Sequence, residues 1–176
     1  MAVINNAYSY RMPAGIPGRV NREWEHTGEP NQMDTANPPL MFGDAVKMGS
    51  NGRIQALAAG DTSASIYGLV EAAFPGQPNN TYGAATQLLG AATPNPGGRC
   101  TVMKRGYMTV TIQGATAAAK GGPVYVRIAG TPPTGGRIGG FEAAPDSTAA
   151  NTPLLPNAYW MGAADSGQNS EIAYNL

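Results

Sequence analysis

Two runs of strict alternation constrain the fold of this chain more than any other feature. Between Lys104 and Ile128, Met108, Val110 and Ile112 alternate with Thr109 and Thr111, and Val124, Val126 and Ile128 alternate with Tyr125 and Arg127. A period of two sends each apolar trio to one face of a sheet and the polar residues to the other. The segment therefore predicts two half-buried strands, and it carries no chemistry. The clearest signal in the chain belongs to a scaffold.

Composition supports many short strands joined by turns. The 176 residues suit one compact domain, and 24 glycines and 15 prolines mark frequent turns without reaching the share typical of disorder. Charged residues make up 12% of the chain and cancel to a formal net charge of zero. Such a chain has no long-range field to draw in nucleic acid or an anionic membrane, and little charge to oppose self-association. No apolar run reaches the length of a membrane helix. The first residues lack a basic start followed by an apolar block, so a protein made and folded in a reducing cytoplasm is expected. Cys100 alone can form neither an internal disulfide nor a multi-cysteine zinc site.

Residues 1–40 read differently from 41–176. Pro13, Pro17, Pro30, Pro38 and Pro39 interrupt any helix, and Gly15, Gly18 and Gly28 oppose a long regular strand. This stretch is predicted as an extended N-terminal arm, and its Tyr8, Tyr10, Trp24 and only histidine suit contact with something outside the body. From Leu40 onward strand signals recur: 40–48 and 53–57 around the Asn51-Gly52 turn, 65–74, 99–112 with a bulge or bend at Arg105-Gly106, 123–128, 137–141, 158–161 and 171–174. Between them, residues 75–98 form a long Pro/Gly/Asn-rich excursion, with a short helical turn conceivable at Tyr82 to Leu89. About seven or eight short strands with frequent turns predict an all-β body, a barrel or tulip-like form or a sandwich.

Chemistry is sparse. A serine-type triad needs a base beside its nucleophile, and the only candidate is His26 in the arm. Metal sites built from several histidines or cysteines are impossible with one of each. The eleven acidic residues are scattered without a spacing that proposes a catalytic pair. Gly135 to Gly140 lacks the Lys-Ser/Thr of a phosphate loop and reads as a turn entering a strand, and Asp165 to Asn169 reads as a hairpin turn. Arg99, Lys104, Arg105, Lys120, Arg127 and Arg137 are expected on solvent-facing positions, as surface or inter-subunit contacts. Trp24 has two readings: a plug folded back onto the body, or an anchor in a partner, since Trp and Arg dominate interface hot spots.

An ordered set of phrases carries a resemblance. AGIPGRVNRE (Ala14 to Glu23), AAGDTSASIYGLV (Ala58 to Val70), KRGYMTVTI (Lys104 to Ile112), AKGGPVYVRI (Ala119 to Ile128), IGGFEAAPDS (Ile138 to Ser147) and PNAYWMGAADSGQNSEIAYNL (Pro156 to Leu176) resemble the structural cement proteins of tailed-bacteriophage heads, the Gp24-type group. Coverage runs over most of the chain from Ala14 onward. The resemblance implies a capsid decoration protein without catalytic residues or cofactor. It would sit on the outer surface of the expanded, DNA-filled head and bridge neighbouring major capsid proteins.

Residue-level expectations follow from joining the two readings. Arg19, Arg22, Trp24 and His26 are the candidates for contact with the shell. Thr109, Thr111, Tyr125 and Arg127, on the polar face of the two strands, are candidates for contact between subunits, with a homotrimer preferred and a dimer as the alternative. A competing class is a carbohydrate-binding or adhesin module using Tyr82, Tyr107, Tyr125 and Trp160 as sugar platforms. A carboxylate-pair hydrolase is the third.

Overall fold

The computed structural model describes residues 15–72, 94–165 and 167–176. Nine strands are found there: β1 Thr27–Gln32, β2 Ala45–Met48, β3 Ile54–Ala56, β4 Gly68–Val70, β5 Arg99–Gln113, β6 Pro123–Val126, β7 Phe141–Glu142, β8 Leu154–Trp160 and β9 Asn169–Tyr174. Single turns of 3-10 helix occur at Glu23–Glu25, Ser63–Ser65 and Ala149–Asn151, and no α-helix occurs among the described residues. The all-β class expected from the turn-rich composition is what the chain adopts.

The sheet is organised by β5, which is shared between two sets of strands. Its second half pairs with β9 antiparallel from Gly106 to Thr111 and with β7 in parallel at Ile112 and Gln113. Pairings of β7 with β6, β6 with β8 and β8 with β9 then return to β5, closing a circuit of five strands. A closed circuit leaves no edge within it. The first half of β5 pairs with β1 on residues 99–105 and with β4 at Val102 and Met103, and β4 continues through β2 to β3. Met33, just past β1, forms a parallel bridge to Ile54 of β3, so this second set also curls back on itself.

Two cores follow from that arrangement. Both alternating trios point into the five-strand circuit, where Met108, Val110, Ile112, Val124, Val126 and Ile128 pack with Phe141, Leu155, Trp160 and Ile172. The smaller core holds Met33, Val46, Ile54, Val70 and Val102. Adjacent apolar pairs explain why the second set is buried on both faces. Ala45, Leu69 and Met103 join the large core while their neighbours Val46, Val70 and Val102 join the small one. Doublets of this kind obscure period-two alternation without weakening the strand.

One local expectation holds and one is corrected. β5 runs on through Arg105-Gly106 as a single strand but bulges beside it, since Thr27 lies opposite Arg105 while Gly28 lies opposite Met103 and Lys104 is the extra residue; Gly106, at φ 139°, marks where the antiparallel partner changes from β1 to β9. Residues 1–40 are not wholly an arm, because Thr27–Gln32 is a strand of the sheet. Pro30 lies opposite Thr101 there, and a proline is tolerated at such a site because β1 borders β5 on one side only. The proposed helical turn at 82–89 lies outside the described residues.

Candidate interface

Residues 18–21 lie along β5 and extend its ladder. The Thr109 carbonyl accepts the Gly18 N–H at 2.8 Å, the Thr109 N–H donates to the Arg19 carbonyl at 3.0 Å, and the Asn21 N–H donates to the Tyr107 carbonyl at 3.0 Å. The Asn21 side-chain amide donates to Thr109 Oγ1 and to Glu171 Oε1, both at 3.0 Å. Gly18 has φ +83°, and a Cβ there would lie 2.6 Å from Cβ of Phe42. Only glycine permits this close crossing.

The chain then makes the 3-10 turn Glu23–Glu25, closed by Glu25 N–H to the Arg22 carbonyl (3.2 Å) and His26 N–H to the Glu23 carbonyl (3.3 Å). Both shoulders of the turn are tied to the body. Arg22 stacks 3.8 Å above the Tyr107 ring centroid and reaches Glu171 Oε2 at 3.2 Å. His26 Nε2 lies 2.5 Å from Glu71 Oε1. The turn sits down on Gly106, where a Cβ would meet the Glu25 carbonyl oxygen at 3.2 Å and His26 Cα at 3.3 Å. At its tip Trp24 is 91% exposed. The plug reading of Trp24 is therefore corrected: its indole is almost wholly exposed and buries little against the body.

A second exposed apolar region lies on β8 and beyond. Leu154 is 50% exposed, and Tyr159 and Leu176 are also exposed. Leu154 is the register partner of Tyr125, and Tyr159 that of Pro123. Leu154, Tyr159 and Leu176, with Gly121, Gly122 and Pro123, line a shallow depression of about 440 Å³.

The four polar-face candidates divide. Thr111 and Tyr125 are half-buried. Thr109 is buried under residues 18–21. Arg127, predicted to face solvent, is buried too: Glu142 takes its Nε at 2.5 Å and its second terminal nitrogen at 3.0 Å, and Asp146 takes the other at 2.8 Å. Gln113 adds a further bond to Glu142 at 3.2 Å. The Glu142 bond holds the Arg127 pKa above its ordinary value, while hydrogen bonds from Asn151, Arg127 and Ser147 hold the Asp146 carboxyl well below the usual carboxylate range. Arg137 is likewise drawn inward, with Nε 2.7 Å from the buried Asp44. That pair joins the loop before β7 to the residue before β2, fastening the two sets of strands together. Burial pushes the Asp44 carboxyl up to about 6, against the opposing pull of Arg137 and the Met41 N–H.

These buried charged groups satisfy one another. No cluster of three or more His, Cys, Asp or Glu suited to a metal occurs among the described residues. A groove of about 650 Å³ at one end of the circuit is lined by Thr111, Gln113, Thr134, Ala164, Asp165 and Gln168. Its one ionisable group, Asp165, accepts the turn N–H groups of Gly167 and Asn169 at 2.8 and 2.9 Å. Burial, then the nearby Glu71, pushes the Cys100 thiol up to about 11, which leaves it poorly nucleophilic. Among the proposed sugar platforms Trp160 is wholly buried, Tyr107 lies under Arg22, and Tyr82 lies outside the described residues.

Fold and surface together define an all-β body with large apolar side chains exposed at several points, Trp24 foremost among them. Comparison with known proteins places it. The family model described as structural cement protein (E217 gp24/Pam3 gp6) matches residues 4–175, and the chain belongs to this phage cement family. It is also similar to a chain of the solved structure "The capsid of Myoviridae Phage XM1", at 20% identity and a TM-score of 0.66, over 99% of this chain and 98% of the other. None of the curated proteins matches.

Proposed function

We propose that this chain is a non-enzymatic cement protein that binds the outer surface of an expanded tailed-phage head and bridges neighbouring major capsid proteins. Family membership and the capsid-like fold support a structural role. The observation that carries the bridging reading is the exposure of large apolar side chains on more than one element, Trp24 on its turn and Leu154 and Tyr159 on β8. A molecule that resists shear between capsomers needs at least two contacts, and linked contacts gain by avidity.

The Trp24 turn, with Arg19 and its flanking Arg22 and His26, is assigned to the shell. Tyr125 and Thr111, with the exposed Leu154 and Tyr159, are assigned to a neighbouring copy in a homotrimer, with a dimer as the alternative. Thr109 bonds to Asn21 beneath the arm, and Arg127 acts within the body through Glu142 and Asp146.

The test is reconstitution. Purified chain added to expanded heads assembled without it should bind saturably and raise the temperature at which the heads release DNA. Failure to bind, or binding without stabilisation, would overturn the reading.

A further inference from the structure

We infer that Glu23-Trp24-Glu25 is a preformed plug for an apolar cleft rimmed by Lys or Arg on the shell, and that Arg22 and His26 are positioning residues for it. The inference rests on the cement reading and specifies the chemistry of the partner surface.

Charge points to a basic rim. Neither Glu23 nor Glu25 has an ion pair or side-chain hydrogen bond among the described residues. The two cationic or potentially cationic groups that flank the turn already hold other carboxylates, Arg22 with Glu171 and His26 with Glu71. Two carboxylates without a direct ion pair among the described residues therefore bracket the most exposed large apolar side chain there, although Arg19 lines the same depression as Glu23. A cleft that buries the indole must bring both carboxylates to its edge, where an acidic or purely apolar rim would be penalised and a basic rim rewarded. The net charge of zero makes this a local device and not a general field.

Rigidity points to a plug and away from a chance exposure. Two backbone bonds close the turn, the Tyr107 stack and Glu171 hold one shoulder, Glu71 holds the other, and Gly106 allows the whole to seat directly on β5. An anchor fixed before binding loses little conformational freedom on association. Trp is also the residue type whose burial most often dominates an interface.

The experiment measures binding of the full chain to expanded heads assembled without it, at low and moderate salt, with each variant first checked for an unchanged thermal melt. Trp24→Ala should weaken binding by about 30-fold or more, the affinity equivalent of a hot-spot residue. Glu23→Lys with Glu25→Lys should weaken it more than Glu23→Gln with Glu25→Gln, and added salt should weaken the wild type more than the Gln variant. Binding of Trp24→Ala or of the double Lys variant within threefold of wild type would overturn the plug, whereas wild type that fails to bind at all would overturn the cement reading beneath it. If Trp24→Ala instead dissociates an oligomer of the free chain in sedimentation, the occupant is a second copy and the inference is wrong. For the positioning residues, Glu171→Gln should weaken binding and also change acrylamide quenching of Trp24 fluorescence, Trp160 being buried. No change in either would remove Arg22 from that role.

Discussion

The two tryptophans of this chain stand in opposite environments. Trp160 is wholly buried among the side chains of the five-strand circuit, while Trp24 is 91% exposed on a short turn. Their contrast separates what holds the body together from what the body offers to a partner. Trp160 packs with Phe141, Leu155 and Ile172 and contributes burial. Trp24 contributes almost no burial within the chain, yet the residues around it are fastened by stacking, an ion pair and a close backbone approach. Ordering a group that buries nothing makes physical sense when the burial occurs in a complex.

Substitutions should break this contrast unevenly. The largest loss is expected at Trp160: Trp160→Ala leaves a cavity in the main core and should lower unfolding free energy by about 3–5 kcal/mol in denaturant titrations. Nearly as large is Arg127→Ala, which strands Glu142 without its guanidinium and should cost about 3–5 kcal/mol. Replacing both partners, Arg127→Met with Glu142→Leu, should cost less than the single change. A larger cost for the double variant would show that the pair is not an independent unit.

Asp44 gives a pH-dependent effect of intermediate size. Its carboxyl is raised to about 6 when folded, so the folded chain holds that proton more tightly than the unfolded one. The associated stability is complete below about pH 4, the ordinary carboxylate range, and is lost as pH rises through 6, a change on the order of 2–3 kcal/mol. Asp34 and Asp146 run the other way, since hydrogen bonds hold both below the usual range and their contribution is lost only at lower pH. Midpoints measured from pH 4.5 to 7.5 should therefore fall with rising pH in the wild type, and the slope should flatten in Asp44→Asn.

Smaller effects belong to the turn. Gly106→Ala forces a side chain into a backbone at φ 139° and against the Glu25 carbonyl, and should cost about 1–3 kcal/mol while displacing Trp24. Trp24→Ala should change stability by no more than about 0.5 kcal/mol, because little is buried there. A loss of several kcal/mol in that variant would return Trp24 to the role of a plug in its own body.

Much of this body is legible in the sequence, for identifiable reasons. Met108, Val110 and Ile112, and Val124, Val126 and Ile128, alternate because each strand of the circuit has one face inside. Asn51-Gly52 marks the β2–β3 turn because Gly52, at φ 71°, needs the left-handed region. Trp160 departs from simple alternation. Leu155 and Trp160 are an odd number of residues apart, yet both face the core, because Asn157 at φ 55° and the irregular β6–β8 register shift the parity of β8. Arg127 misled for another reason: alternation places it on the outer face, but the Glu142 and Asp146 that enclose it arrive from 15 and 19 residues away. β1 was hidden by Pro30, whose presence argues against an interior strand but not against one bordering β5 alone. For the candidate interface, charge and aromaticity singled out 19–26, whereas the division into an exposed Trp24 and internally bonded Arg22 and His26 required coordinates.

Contact with the shell through the Trp24 turn can be seen in a cryo-EM reconstruction of decorated heads. The reconstruction should show the Trp24 indole enclosed by capsid protein with basic side chains beside Glu23 and Glu25, and the Leu154–Tyr125 surface turned toward another copy. A map in which Trp24 remains in solvent while a different face touches the shell would contradict it.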